Sequence, residues 1–592
     1  MNLSTQDEAM LAAAVARPPE GKASSGLGAA PVDGGVNKLA ARLLPSLTDV
    51  AFLAPIIFLF ARSTGARMLL GDSDTGWHIR CGQWIIANGR VPDRDIFSFT
   101  KYGQPWFAWE WLWDVAFGWM HGQWGLAAVV LVSLIVICTT GALVYRLALR
   151  KSGSPLISIA LTLTAIAASS IHWLARPHLF TLLFVAVFCW LIERAQAGET
   201  RLLLWLPPLT ILWTNLHGGF VCGVILLAAY AVGDLTSWAT DRHSDARSAA
   251  LVRARRYALT AGACAVASLV NPYGWQLHLH IARYLTDPWQ LQNIMEFQTL
   301  NFQHPAAKYF ELLLLGGAIT AAWNIYRRRF AYAILLGVWA HVAMTSGRNI
   351  PIYMILAVPP IAACLAELTV LLNSANVRDW VRKAVRGFED LESEVGTIER
   401  IRRIPVLCPL MVISIGFLLH VQPGERFRAE FSPKDFPVKA AEALRGPEFT
   451  TGVFSDDQWG GYLIYRLFPN HRVFIDGRSD FYGAGFDTKY QDIMNVKWNW
   501  EAVLNQFPVH TVLLPVADAL AGALKLSPRW RPVYDDGTAI IFRRSTPAGT
   551  LLAAAAPEDT QVPAVQYGGL SAIARSRTPQ SVIEGSQSYA RR

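Results

Sequence analysis

Asp72 and Asp74 stand one residue apart in the stretch Gly-Asp-Ser-Asp-Thr-Gly-Trp-His, Gly71 to His78, just beyond the first long apolar run. Two carboxylates so close repel one another, so one of them holds its proton to a higher pH and can serve as a base near neutrality. The same Asp-x-Asp oxygens would also suit a hard divalent cation, Mg or Mn. A solvated loop could carry the pair with no chemistry at all, and the two residues alone do not decide between these readings. Trp77 and His78 follow directly, adding a flat apolar face and an imidazole.

Further polar residues fall at the ends of apolar runs: Glu110, Arg176, His178, His217 and Arg348, with His172, Asn215, Asn271, Glu296 and Asn349 near them. One histidine at such an end is ordinarily an interfacial hydrogen bonder, and one arginine there ordinarily snorkels to headgroups. Ionisable groups at membrane depth are costly, so it is their convergence on one side that points to a site. His278 and His280 have the spacing of a metal pair but no third ligand placed for it.

The elements that must position these groups are apolar helices. The chain has 592 residues, 53% hydrophobic and only 16% charged, with a mean hydropathy of +0.28. Repeated apolar runs of this kind define a polytopic membrane protein, mainly α. About eleven spans are expected, near 46–66, 125–147, 154–172, 177–194, 201–215, 218–238, 257–271, 309–326, 330–346, 350–372 and 405–421. The net charge of +9 would suit nucleic acid, but the basic residues gather between alternate runs, at Arg146–Lys151, Arg242–Arg256 and Arg327–Arg329. That is an orientation signal, so no nucleic-acid partner is expected. It puts the N-terminus in the cytoplasm and the acidic loop and C-terminal region outside, with membrane lipids as neighbours. Six of the seven cysteines lie in apolar runs, so neither a disulfide framework nor a cysteine zinc site is expected.

Residues 1–44 read as a disordered cytoplasmic tail and 45–421 as the transmembrane domain, with outer loops near 67–124 and 271–308. In the first loop, six tryptophans between Trp106 and Trp124 read as an interfacial amphipathic helix, indoles in the lipid boundary, with Glu110, Asp114 and His121 toward water or a cavity. Residues 422–545 read as a small α/β extracytoplasmic domain, with strands at Gly452–Ser455, Arg472–Ile475 and Thr511–Pro515 and a hairpin around Asp535–Thr538. Its notable pieces are Ser455–Tyr462 and Phe474–Asp480, whose carboxylates could meet sugar hydroxyls or cap turns. Residues 546–592 read as a disordered tail.

Taken together, the first-loop Asp-x-Asp-Thr-Gly-Trp-His-Ile-x3-Gln-Trp-Ile (Asp72–Ile85), the following Val-Pro-x-x-Asp-Ile-Phe-Ser-Phe-Thr and Trp-Glu-Trp-Leu, and the C-terminal Trp-Gly-Gly-Tyr-Leu and Phe-Ile-Asp-Gly-Arg resemble the GT-C superfamily of integral-membrane glycosyltransferases. More closely, they resemble a bacterial branch related to protein mannosyltransferases and to the arabinose and lipid-A glycosyltransferases. The resemblance covers most of residues 45–545. Two departures stand out: protein mannosyltransferases tend to carry Asp-Glu in this loop, and the acceptor motif Trp-Trp-Asp of oligosaccharyltransferases is missing from the C-terminal domain.

The resemblance implies transfer of a sugar from a polyprenyl-phosphate donor to a glycan, lipid or protein acceptor, at the outer face of a bacterial cytoplasmic (inner) membrane. It puts the base in the first loop, at Asp74 or Asp72. Arg348 and Arg176 would then take the donor phosphate, His217 and His178 assist it, Trp77 stack on a sugar, and His78 orient Asp74, with Glu110 also on the substrate side. A transporter, flippase or assembly scaffold for lipid-linked sugars is the competing class, although no inverted repeat is visible. A hydrolase with two carboxylates across a sugar is a third.

Overall fold

The structure is a computed structural model that describes residues 45–374, 377–399, 410–412, 414–416, 427–446, 449 and 452–545. The expected tails 1–44 and 546–592 lie outside them, as does most of the expected span 405–421.

Ser46 starts the first helix. Its hydroxyl accepts the Asp49 N–H and the Asp49 carboxylate accepts the Ser46 N–H, so two end donors are satisfied reciprocally. Helix α1 runs Leu47–Ala61, and α2, Asp74–Asn88, begins at the second carboxylate of the acidic motif. Helix α3, Trp111–Ser152, is broken at Gly125, whose φ of 67° and ψ of −164° turn the aromatic segment away from the apolar one. Then come α4 (Pro155–Ser169), α5 (His178–Gln196), α6 (Leu206–Leu216), α7 (Val221–Thr240) and α8 (Ser244–Ala267). The second loop carries α9 (Trp275–Thr286). After it stand α10 (Ala307–Tyr326), α11 (Phe330–Thr345), α12 (Ile350–Ser374) and the charged α13 (Asp379–Glu399).

Five segments among the described residues are helical, long and apolar enough to cross a membrane: Trp111–Ser152, Pro155–His172, His178–Gln196, Gly218–Thr240 and Gly347–Asn373. Leu47–Ala61 and Phe330–Thr345 are apolar but shorter. The expected run 201–215 is a 3-10 turn over Thr200–Trp205 leading into α6, and the run 257–271 is the second half of α8, which starts in the basic stretch before it.

The tryptophan-rich segment is not an interfacial helix with every indole in lipid. Trp106 and Trp113 are buried, with Trp113 stacked on Phe117 at 4.0 Å, while Trp119 and Trp124 are exposed. Asp114 does not face water either, being fully buried against His78. Apolar packing of α3 against α2 and α1 turned this face inward.

In the C-terminal region a four-stranded sheet has the order β1-β2-β4-β3, from β1 (Val453–Ser455), β2 (Thr511–Pro515), β3 (Trp530–Asp535) and β4 (Ala539–Arg544). β1 and β2 are parallel and the other pairs antiparallel. The strand expected at Arg472–Ile475 is instead two isolated bridges from Val473, one to Val453 and one to Ser98 of the first loop. That second bridge stitches the loop to the C-terminal region. So does helix α14, Asp457–Leu467, which packs along α2. An added Cβ on Gly76 would lie 2.6 Å from the Gly461 carbonyl oxygen, and one on Gly461 2.5 Å from the Ser73 carbonyl oxygen, so only glycines allow the two backbones to lie this close.

Candidate functional site

The glycine seam decides where Asp74 sits. Asp74 opens α2, where the unpaired N–H groups and helix dipole favour a carboxylate. Its own N–H donates to Asp72 Oδ1 at 2.7 Å. The loop before α5 is clipped onto this helix start, since Ala175 N–H donates to the Leu69 carbonyl (2.7 Å) and the Thr75 hydroxyl to the Ala175 carbonyl (3.1 Å). The next residue, Arg176, is thereby aimed at the acidic pair. Its Nη1 meets Asp72 Oδ2 at 2.8 Å and Glu296 Oε1 at 2.7 Å, and its Nη2 meets Asp74 Oδ2 at 2.8 Å.

Three carboxylates therefore share one guanidinium, and they cannot all ionise cheaply. Burial, then the charge of Asp72, pushes Asp74 up to about 7 against the pull of Arg176. Burial alone would raise Glu296 as well, but Arg176, His172 and Arg348 hold it well below the usual carboxylate range. Of the two with a shifted value, Asp74 is the one that exchanges a proton near neutrality. The arrangement does not place Asp72 and Asp74 on opposite sides of a sugar, as a pair of hydrolytic carboxylates would stand.

One turn along α2, His78 has Nδ1 at 2.6 Å from Asp114 Oδ1 and Nε2 at 3.4 Å from Glu110 Oε2. His217 Nε2 lies 3.5 Å from the other oxygen of Glu110. Gly219 N–H donates to His217 Nδ1, so the neutral ring carries its proton on Nε2, toward Glu110. Burial first, then nearby cations, holds His78 below the ordinary imidazole value and His217 down at about 3. Burial lifts Glu110 to about 8, so at neutral pH it is protonated and can donate to His78 Nε2. Asp114, His78, Glu110 and His217 form a string of polar contacts along one wall.

A cavity of about 330 Å³ brings together Asp74, Trp77, His78, Glu110, Arg176, His178, His217 and Arg348, with Glu296, Arg478 and Asp480. Asp72 stands behind Asp74, on Arg176. Trp77 stacks on His78 with ring centroids 3.6 Å apart. His178 is turned aside, its Nε2 donating to the His172 carbonyl at 3.0 Å. Arg348 packs over the Phe297 ring at 4.7 Å and reaches Glu296 only at 4.0 Å, and its buried Nη1 has no hydrogen-bond partner among the described residues. Of the two arginines, Arg176 faces three carboxylates, whereas Arg348 has the Tyr284 hydroxyl beside it and Glu296 only at 4.0 Å. The opposite part of the cavity is apolar, with Val221, Cys222 and Ile225 of α7 facing Val338 and Val342 of α11.

Three features of the site did not emerge from local spacing. Glu296, in the second loop, completes the guanidinium cluster. Asp114 fixes His78. Gly477 touches Asp74: a Cβ there would lie 2.1 Å from Asp74 Oδ1. The motif Phe474–Asp480 was visible in the sequence, but not that its glycine is the floor under Asp74. His278 and His280 do not form a metal pair, since His278 bonds Ser268 and His280 bonds Asp480.

Gly477→Ala should displace the Asp74 carboxylate without disturbing α2. Turnover should fall about 100-fold, the size of effect a 1 Å misplacement can have, while the protein still purifies as a monodisperse species. Unchanged turnover would mean that the carboxylate's position is not critical.

The Asp72 and Asp74 oxygens that would bind a divalent cation converge on the Arg176 guanidinium, which stands where the cation would. Among the described residues no group of three or more His, Cys, Asp or Glu is arranged to hold a metal ion. In this arrangement the pair does not fit Mg or Mn.

No family model matches the sequence, and no curated protein matches it. Among solved structures, the fold is similar to that of the archaeal oligosaccharyltransferase AglB from Archaeoglobus fulgidus, determined in complex with an inhibitory peptide and a dolichol-phosphate. Identity is 11% and the TM-score 0.48, over 83% of this chain and 73% of that one. A likeness at that level says nothing about chemistry, so function has to come from the side chains themselves.

Proposed function

We propose that the chain is a GT-C-type membrane glycosyltransferase that moves a sugar from a polyprenyl phosphate to an acceptor hydroxyl, with the site on the extracytoplasmic side. The observation that carries this reading is the cavity's two-part character. A carboxylate near neutrality and an arginine with an unengaged N–H stand beside an apolar groove between α7 and α11. A sugar joined through phosphate to a long hydrocarbon needs both halves.

In this mechanism the acceptor oxygen attacks the anomeric carbon and Asp74 takes its proton. The bond from that carbon to the phosphate oxygen breaks, and the phosphate leaves with the electron pair. Arg348 receives the developing charge, because it lines the cavity, its guanidinium fork matches phosphate oxygens and its nearest carboxylate, Glu296, is 4.0 Å away. Arg176 keeps Asp72, Asp74 and Glu296 together and so holds the base in place. Glu110, whose proton is turned to His78 and whose other oxygen faces the His217 N–H, offers its remaining lone pairs to sugar hydroxyls, and Trp77 lines the same wall.

No step needs a metal here, since Arg176 already supplies the cation between the carboxylates. Turnover should therefore be unchanged by exhaustive EDTA treatment and by re-addition of Mg or Mn. A tenfold loss on chelation, restored by either metal, would overturn the role given to Arg176.

The reading as a transferase is tested by deleting the gene and extracting lipids. Polyprenyl-phosphate sugar should accumulate, one envelope glycan should lose a sugar, and the wild-type gene should reverse both changes. If neither pool changes, the transferase reading fails. A donor pool that changes sides of the membrane without a lost glycan linkage would favour a flippase.

A further inference from the structure

A second concave region lies on the far side of α2. It is a cleft of about 770 Å³ between α2, the loop after it and the Phe468–Arg472 turn. Four arginines line it, and three of them, Arg80, Arg94 and Arg472, stand apart from Arg90, which pairs with Asp93. Each of the three is fixed by a backbone carbonyl: Arg80 Nε on Tyr465 (2.7 Å), Arg94 Nη1 on Gly103 (3.0 Å) and Arg472 Nε on Ile96 (3.4 Å). Among the described residues none of the three has a carboxylate within 4.0 Å. Of the arginines lining the other cavities, Arg176, Arg253, Arg329 and Arg478 each hold at least one carboxylate, while Arg328 rests on the Thr240 carbonyl. Of the two acidic residues at the cleft, Asp93 faces Arg90 at the exposed rim and Asp95 is turned inward to Arg478.

Three held and unneutralised guanidinium groups on one concave surface make an electrostatic trap for an anion. The rest of the lining suits a sugar. The Tyr102 ring, more than half exposed, lies 3.9 Å under the Arg472 guanidinium, and Trp84 and the Asn88 amide line the same space, while the Gln83 amide is engaged by Arg80 and His121. Aromatic rings take the C–H faces of pyranoses, and amides take their hydroxyls. α2 is the shared wall, with Asp74 and His78 on the cavity side and Arg80, Gln83 and Trp84 on the cleft side.

We propose that this cleft binds an anionic saccharide, one whose sugars carry carboxylate or phosphate groups, and so marks an acidic glycan as acceptor. The acceptor role rests on the transferase reading above. The binding does not.

The test is a titration of the full-length protein in phosphatidylcholine nanodiscs. The probes are trigalacturonate, the neutral trisaccharide maltotriose and inorganic phosphate. Trigalacturonate should bind, more weakly as salt rises, and R94Q/R472Q should weaken it at least tenfold. Tyr102→Ala should weaken it by a smaller factor, and Asp74→Asn should leave it unchanged. Because no turnover is read, these outcomes stand whether or not transfer occurs. The proposal is overturned if trigalacturonate does not bind, if R94Q/R472Q binds it as wild type does, or if maltotriose binds equally well. Phosphate binding as tightly as the trisaccharide would reduce the cleft to a simple anion site. Phosphatidylglycerol in the nanodisc abolishing trigalacturonate binding would assign the arginines to lipid headgroups. Either result would also overturn it.

Discussion

Asp74→Asn should abolish turnover, by roughly 10³-fold and within the 10²–10⁴ range that a general base supplies, while the protein remains folded in the membrane. The amide keeps the size of the carboxylate. It also removes one negative charge from a cluster in which three carboxylates share one guanidinium, so Asp72 and Glu296 can still hold Arg176. What is lost is the proton acceptor. With Asp74 at about 7, the wild-type rate should climb as pH rises through that value and level off above it, because only the deprotonated carboxylate can take the acceptor's proton. The residual rate of the Asn variant should not show that rise. Rates measured from pH 5.5 to 8.5 on both proteins decide the matter. An Asn variant with wild-type turnover, or with the same pH rise, would falsify Asp74 as the base.

The second large effect is structural. Arg478, 3% exposed, is held by Asp476 through Nε and Nη2 at 2.7 Å each, and by Asp95 of the first loop through Nη2 at 2.8 Å. The Tyr482 hydroxyl donates to the same Asp476 carboxylate, and the guanidinium lies 4.5 Å from the Trp106 ring centroid. Arg478→Ala leaves two buried carboxylates without their cation, at a cost of about 3–5 kcal/mol. Because Asp95 and Asp476 lie in different parts of the chain, the loss falls on the junction between the first loop and the C-terminal region. The variant should aggregate at a markedly lower temperature in detergent and expose this junction to protease. Adding Asp476→Asn should cost less in the Arg478→Ala background than in wild type, since the two residues are coupled. Wild-type heat resistance in Arg478→Ala would mean that the junction is held by the glycine seam and apolar contacts alone.

The site was legible in the sequence to the extent that its residues are chemically unusual for their surroundings. Carboxylates, histidines and arginines at the ends of apolar runs are costly wherever they stand, so their types marked them out individually. Asp74, Trp77, His78, Glu110, Arg176, His178, His217 and Arg348 line one cavity. Their partners were not legible, because a partner is a matter of distance. Arg176 reads as a phosphate ligand in isolation, yet it is engaged by three carboxylates from two loops, and among the described residues the buried Nη1 groups without a hydrogen-bond partner in this cavity are those of Arg348 and Arg478.

What the sequence determined by itself is the apolar helical character of the chain, the polar groups set at the helix ends, and the hairpin near the C-terminus. These follow from local composition and periodicity, which short-range physics translates directly into structure. Only the tertiary structure decided that motifs nearly four hundred residues apart meet. Gly76, Gly461 and Gly477 read locally as flexibility, but their use is the absence of a side chain where one backbone passes another or a carboxylate must fit. It also decided which face of the tryptophan-rich helix turns inward and which arginines go without carboxylates. The reason is the same in each case: packing and ion pairing act through space, and no spacing along the chain encodes which distant atoms will fill it.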